Sequence, residues 1–190
     1  MSQFMASRFS PFKHSTFRRY FFVQTISMIG TWSHELARAW LVVEMMGKAA
    51  ALGLLTLCVA LPASLFILHG GVVVDRLDAR RVMMLTRSLL AISSLALAAI
   101  NTMDRIQLWQ LIVFALVEGI VTALDSPAEQ SLRARLVPRG DFQQAIALTS
   151  SNFHLARMLG PLVAGILMAH SGPTLVFLFD GLSYIGLVFI

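Results

Sequence analysis

The chain has 190 residues, of which 57% are hydrophobic and only 13% charged, with a mean hydropathy of +0.74. Soluble domains carry about 25% charged residues, so this chain lacks the polar groups to cover a water-exposed surface and is too apolar for a disordered one. Cys58 is the only cysteine, which excludes a disulfide scaffold. The net charge of +5 and pI near 10.3 fit basic cytoplasmic loops of a membrane protein and not a nucleic-acid partner.

Residues 1–19 are polar and basic, with Phe4, Phe9, Phe12 and Phe17 interspersed. They lack the short apolar core and small-residue cleavage site of a secretory signal. They read either as a cytoplasmic arm lying on the membrane surface or as a frayed terminus. Beyond them, a membrane-crossing helix needs about 20 mostly apolar residues. Six windows qualify, at about 20–46, 51–74, 82–103, 107–127, 143–169 and 174–190. The first is the most polar, with Glu35 and Arg38 near its middle. The second has no Asp, Glu, Lys or Arg, the third only Arg87, and the fourth holds Glu118 and ends near Asp125. His170-Ser171-Gly172-Pro173 is a turn signal dividing the fifth window from the sixth. The sixth covers only about 26 Å at helical rise, marginal for crossing, and no polar tail follows Ile190, so the chain reads as cut. Short connections make consecutive helices antiparallel neighbours.

Lys and Arg in the loops set the orientation. Arg8, Lys13, Arg18 and Arg19 precede the first window; Arg76, Arg80 and Arg81 follow the second; Arg133, Arg135 and Arg139 follow the fourth. The alternate loops hold only Lys48 and Arg105, a bias of ten to two that places the amino terminus in the cytoplasm.

Within the windows, ionisable groups are costly and are functional candidates by default. Glu118 lies nine residues from Pro127 and Arg157 nine from Leu148, so both are expected about 13 Å deep and are expected to pair. Glu35 and Arg38 share a face of the first helix, and Asp180 lies at comparable height in the sixth. Burial would raise the pKa of Glu35 or Glu118 towards neutral pH, as proton coupling requires. In the fifth window Ala156, Gly160 and Ala164 recur every four residues and form a small-residue packing face; Pro161 removes one backbone donor and can kink the helix, and Gly165 follows. Asp141 and Gln144 have capping-box spacing and mark the start of that helix. Gly70 and Gly71 allow close helix approach at the end of the second. The histidines show no metal-ligand spacing and no Walker loop is present, so no metal, cofactor or ATP drive is expected.

Gly71-x-x-x-Asp75-Arg76-x-x-x-Arg80-Arg81, between the second and third windows, resembles the signature loop of the major facilitator superfamily. Asp125-Ser-Pro-Ala-Glu-Gln-Ser-Leu with Leu136-Val-Pro138-Arg139-Gly-Asp141, Ala145 to Asn152 with Ala156-Arg157-Met-Leu-Gly160-Pro161-Leu-Val-Ala-Gly165, and Ile29-Gly-Thr-Trp32 through Trp40-Leu-Val-Val are similar to a bacterial exporter branch that includes siderophore exporters and drug-efflux pumps. A Gly-Pro element in the fifth span is typical of exporters in that superfamily. Ala79 stands where the loop usually has a base that joins a charge relay. The resemblance therefore implies a relay of Asp75 and Asp125 with Arg80 or Arg76 as the substitute cation.

The resemblance implies an all-α membrane protein: six transmembrane helices forming the amino-terminal half of a twelve-helix carrier in a bacterial inner membrane. The implied activity is secondary active transport by alternating access, a proton-coupled export of small molecules such as drugs or siderophores. Trp32, Glu35 and Glu118, with Arg38 and Arg157, are the candidate proton or substrate site. The implied partners are the lipid bilayer, protons, a small-molecule substrate and a second six-helix half. The alternative is a non-transporting membrane fragment or partner subunit that only packs with other helices. No nucleophile stands beside a base at helical spacing, so an enzyme is not expected.

Overall fold

The structure is a computed structural model that describes residues 10–48 and 50–188. Phe4, Arg8 and Phe9 of the arm, and Ile190, lie outside the described residues. A single 3-10 turn, Ser10–Lys13, precedes six helices: α1 Ser15–Met46, α2 Ala50–Arg76, α3 Ala79–Thr102, α4 Leu108–Leu136, α5 Phe142–Ser171 and α6 Pro173–Val188. Residues 15–19, read above as part of an arm, are thus helical, and Phe17 is fully buried. Among the described residues four stretches are long and apolar enough to cross a membrane: α2, α3, α4, and Arg139–Ser171, which joins a short turn to α5. α6 is apolar but shorter. α1 is long enough, but polar residues along it, among them Gln24, His34 and Glu35, keep its hydropathy too low to count with them. The fold is all-α and multi-pass.

Local chemistry explains the breaks. Gly47 closes α1 in the left-handed conformation at φ 61°, its N–H donating to the Val43 carbonyl; such a backbone favours glycine. Asp78 caps α3 by accepting from the Arg80 N–H. Gln107 and Gln110 form a reciprocal capping box at the start of α4. The expected box at Asp141 and Gln144 does not form: Asp141 occupies the cap position of α5, but its side chain makes no cap bond. It accepts from Ser10 Oγ at 2.5 Å and lies 3.2 Å from His14 Nε2. α4 also runs past Pro127, the expected end of the fourth window, to Leu136.

α1 packs on α5 and α6, α4 packs on α2 and α3, and α3 lies against α6. The first three helices and the last three therefore exchange equivalent places, the arrangement expected of an internal three-helix repeat. Glycines set the closest approaches, as in membrane helix pairs generally. A Cβ on Gly70 would fall 2.1 Å from the Ala123 carbonyl oxygen, one on Gly119 2.3 Å from that of Val59, and one on Gly160 2.3 Å from Trp32 Cβ. Ala156 and Ala164 are fully buried on the Gly160 face. Gly71 and Gly165 do not take part in this packing: a Cβ on either would meet nothing within 4 Å. Pro161 lies inside α5, which continues through it.

Candidate functional site in the central cavity

A cavity of about 590 Å³ opens between α1, α4 and α5, with its floor closed by α3 and α6. α1 contributes Gln24, Met28, Trp32 and Glu35, and α4 contributes Glu118, Asp125 and Glu129. Phe153 and His154 come from α5, Arg87 from α3 and Tyr184 from α6. The wall combines apolar and aromatic surface with a few charged groups, the usual make-up of a small-molecule site.

Of the residues singled out in the sequence, Trp32, Glu35 and Glu118 meet in this cavity. Gly160 explains the position of Trp32, because the missing side chain lets α5 close against the backbone of residues 32 and 33, where Ser33 Oγ donates to the Gly160 carbonyl at 2.8 Å. The Trp32 ring meets Phe153 edge-on at 5.6 Å. The Arg157 guanidinium lies 5.2 Å over the same ring, within cation–π range.

The expected Glu118–Arg157 pair does not form. Glu118 is bound by Arg38 Nη1. Depth counting places residues along a helix but not around it: Arg157 turns to the Trp32 face of α5, while α1 presents Arg38 towards α4. Glu35 is exposed and makes no ion pair among the described residues.

The expected relay also changes partners. Asp125 is buried, and its cation is Arg87, at 2.7 Å; Thr86 Oγ1 donates to its other oxygen at 2.6 Å. Arg80 lies seven residues earlier on α3, about 10 Å nearer the helix end, so Arg87 is the arginine level with Asp125. Asp75, Arg76 and Arg81 are exposed at helix ends, and Asp75 makes no ion pair among the described residues. Arg135 lies 3.8 Å from Asp78, which ties the end of α4 to the α2–α3 turn.

Glu129 is the hub that sequence reasoning missed. It accepts from Arg87 Nη2 at 2.8 Å, Gln24 Nε2 at 3.0 Å and the Tyr20 hydroxyl at 3.1 Å, and lies 3.6 Å from Arg133 Nε. Its spacing was the available signal, since it follows Asp125 by one helical turn and so shares its face. A second buried group joins α1 to α6, where His34 Nδ1 lies 2.9 Å from Asp180 Oδ2. Among the described residues no three His, Cys, Asp or Glu side chains stand close enough to hold a metal.

Outside the helices, hydrogen bonds from Ser10, and then from His14, hold the Asp141 carboxyl below the usual carboxylate range. This clasp brings the amino-terminal segment to the α4–α5 turn.

A polar cavity inside an apolar helical bundle is what a membrane carrier needs, and comparison with known proteins places the chain accordingly. Residues 6–190 match the major facilitator family described as transmembrane secretion effector. The chain belongs to this family. Its members are transporters, and the chain is not an enzyme. It is 25% identical over 169 residues to the staphyloferrin A transporter of Staphylococcus aureus, a match covering 87% of this chain and 42% of that protein. Against an uncharacterized major facilitator-type transporter of Bacillus subtilis, YfiS, it is 30% identical over 147 residues, covering 77% and 34%. Against macrolide efflux protein A of Streptococcus pyogenes it is 24% identical over 144 residues, covering 76% and 36%. The chain therefore spans about two fifths or less of the length of these relatives. No solved structure matches it.

Proposed function

We propose that this chain is the amino-terminal six-helix half of a twelve-helix exporter, its amino terminus in the cytoplasm, moving small molecules by alternating access driven by protons. The cavity carries this reading: Trp32, Glu35 and Glu118 line about 590 Å³ of open space beside α1, α4 and α5. Carriers of this architecture hold substrate near the midplane between two repeats that rock against each other. The names of relatives, a siderophore transporter and a macrolide efflux protein, support organic molecules as the cargo. Glu35, which lines the cavity and makes no ion pair among the described residues, is the group for a proton or a cationic substrate. Arg38, Glu118 and Arg157 orient the wall around it. The ten-to-two loop bias supports the orientation. So does the gathering of its basic segments: the amino-terminal segment, the α2–α3 turn and the α4–α5 turn meet through Ser10, His14 and Asp141 and through Asp78 and Arg135.

The test is accumulation of ethidium and of a catecholate siderophore in an efflux-deficient host expressing the chain together with its in-frame coding sequence. Expressing cells should retain less of one compound than control cells, and a protonophore should remove the difference. Glu35→Gln at equal abundance should remove it too. Equal retention of both compounds with and without the protein would favour a chain that only packs with other helices.

A further inference from the structure

Buried where α1, α3 and α6 meet are His34, Ser94 and Asp180, none of which the cavity reading uses. His34 Nδ1 lies 2.9 Å from Asp180 Oδ2 and 3.0 Å from Ser94 Oγ. Ser94 Oγ lies 2.9 Å from Asp180 Oδ2 and 2.9 Å from the Phe177 carbonyl oxygen. Its single hydrogen goes to one of those two oxygens, so towards His34 it can only accept. The hydrogen of this contact therefore sits on His34 Nδ1 and is directed at Ser94 Oγ, with Asp180 Oδ2 2.9 Å from the same nitrogen. That leaves His34 Nε2, which is buried and makes no hydrogen bond, as does Asp180 Oδ1.

Charge counting shows what is missing. Glu118 is matched by Arg38, while Asp125 and Glu129 share Arg87 and Arg133. Three guanidiniums thus face three carboxylates, and Asp180 is left over. With His34 neutral, Asp180 is an uncompensated charge in the bundle, with the Ser94 hydroxyl as its side-chain donor; burying such a charge is costly. With His34 charged, the pair is neutral overall. Among the described residues no other cation reaches Asp180 within ion-pair distance. On α1, Arg38 is engaged by Glu118. On α3, Arg87 serves α4. On α5, Arg157 is laid over Trp32. α6 presents only the Tyr184 hydroxyl. A link to the cavity also exists: Thr31 and Tyr184, about one turn from His34 and Asp180 on the same two helices, are hydrogen-bonded at 2.8 Å, and both line the cavity.

We propose that His34 and Asp180 form a proton-binding site, with the proton taken at His34 Nε2, Nδ1–H kept on Ser94 beside Asp180, and Thr31 and Tyr184 as the route from the cavity. The pair clamps α1 to α6 when protonated. Loss of the proton leaves the Asp180 charge uncompensated and loosens that contact. The site's role in export rests on the carrier reading above; its protonation does not.

The test uses the chain in lipid nanodiscs with ¹⁵N-labelled histidine. There are five histidines, and His34→Gln identifies the His34 signals. At neutral pH both His34 ring nitrogens should carry protons, and Asp180→Asn should return one of them to the lone-pair form. Ser94→Ala keeps the carboxylate and should leave His34 charged, which retains a test should Asp180→Asn fail to fold. A His34 ring that is neutral in the parent chain at pH 7, or charged equally in Asp180→Asn, would overturn the proposal. The readout needs no transport, so its failure and a failure of the export test are separable.

Discussion

Replacing Arg38 by Gln strands Glu118, and replacing Glu118 by Gln strands Arg38. The two losses should differ in size, because the Arg38 side chain is 5% exposed and that of Glu118 23%. Breaking a buried ion pair costs about 3–5 kcal/mol. A stranded Glu118 keeps part of its solvation through the cavity, so Arg38→Gln should fall at or below the lower end of that range, about 2–3 kcal/mol. Glu118→Gln leaves a guanidinium almost fully enclosed and should cost about 3–5 kcal/mol. The double variant replaces the ion pair by two amides able to bond each other, and should cost far less than the sum, with a coupling of about 2 kcal/mol or more. Arg157→Gln is the control. It removes a partly solvated contact with Trp32 worth about 0.5–1 kcal/mol and should be additive with Glu118→Gln. Unfolding of the detergent-solubilised chain, followed by helical circular dichroism, reads all four variants. Additivity of Arg38→Gln with Glu118→Gln within about 0.5 kcal/mol would refute the pairing, and coupling of Arg157 to Glu118 would restore the pair read from depth alone.

Gly70→Ala and Gly160→Ala should each destabilise the bundle by about 1–3 kcal/mol or more through overpacking. Gly71→Ala and Gly165→Ala have open space and should be neutral or gain up to about 1 kcal/mol of helix propensity; the same unfolding assay separates the two groups. Arg87→Gln should be among the most damaging single changes, since it strands Asp125 and leaves Glu129 with Arg133 as its one cation among the described residues, whereas Asp75→Asn should stay within about 0.5 kcal/mol as a surface change; equal losses would contradict the assignment of Asp125 to Arg87. The clasp at Asp141 should be acid-sensitive: a carboxyl whose folded pKa is lowered contributes stability above its unfolded value and loses it as pH falls through the folded one. Hydrogen exchange in residues 10–14 should therefore quicken below the usual carboxylate range, and Asp141→Asn should quicken it at neutral pH. Cysteines placed at 48 or 105 in a Cys58→Ser background should react with an impermeant thiol reagent in intact cells; reaction at 76 or 135 instead would reverse the proposed orientation.

Composition and hydropathy alone were enough for an all-α membrane chain, because a bilayer demands long apolar helices whatever their neighbours. Turn signals carried similar weight: the His170-to-Pro173 cluster falls where α5 ends and α6 begins. Small residues were legible where they repeat on one helix face, as at Ala156, Gly160 and Ala164, but the same composition at Gly165 points into open space. Which charge meets which was decided by tertiary structure. Residue counting measures height along a helix axis, and it placed Glu118 and Arg157 level. It says little about rotation around that axis or about which helices touch. α1 stands beside α4 and α6 as well as α5, so Arg38 rather than Arg157 reaches Glu118, and His34 finds Asp180 across 145 intervening positions of sequence. Arg87 and Glu129 carried a signal only in hindsight, one as the lone charge of its window and the other one turn beyond Asp125. Burial of a charge in apolar surroundings makes pairing necessary, and the packing of three helices against three selects the partner.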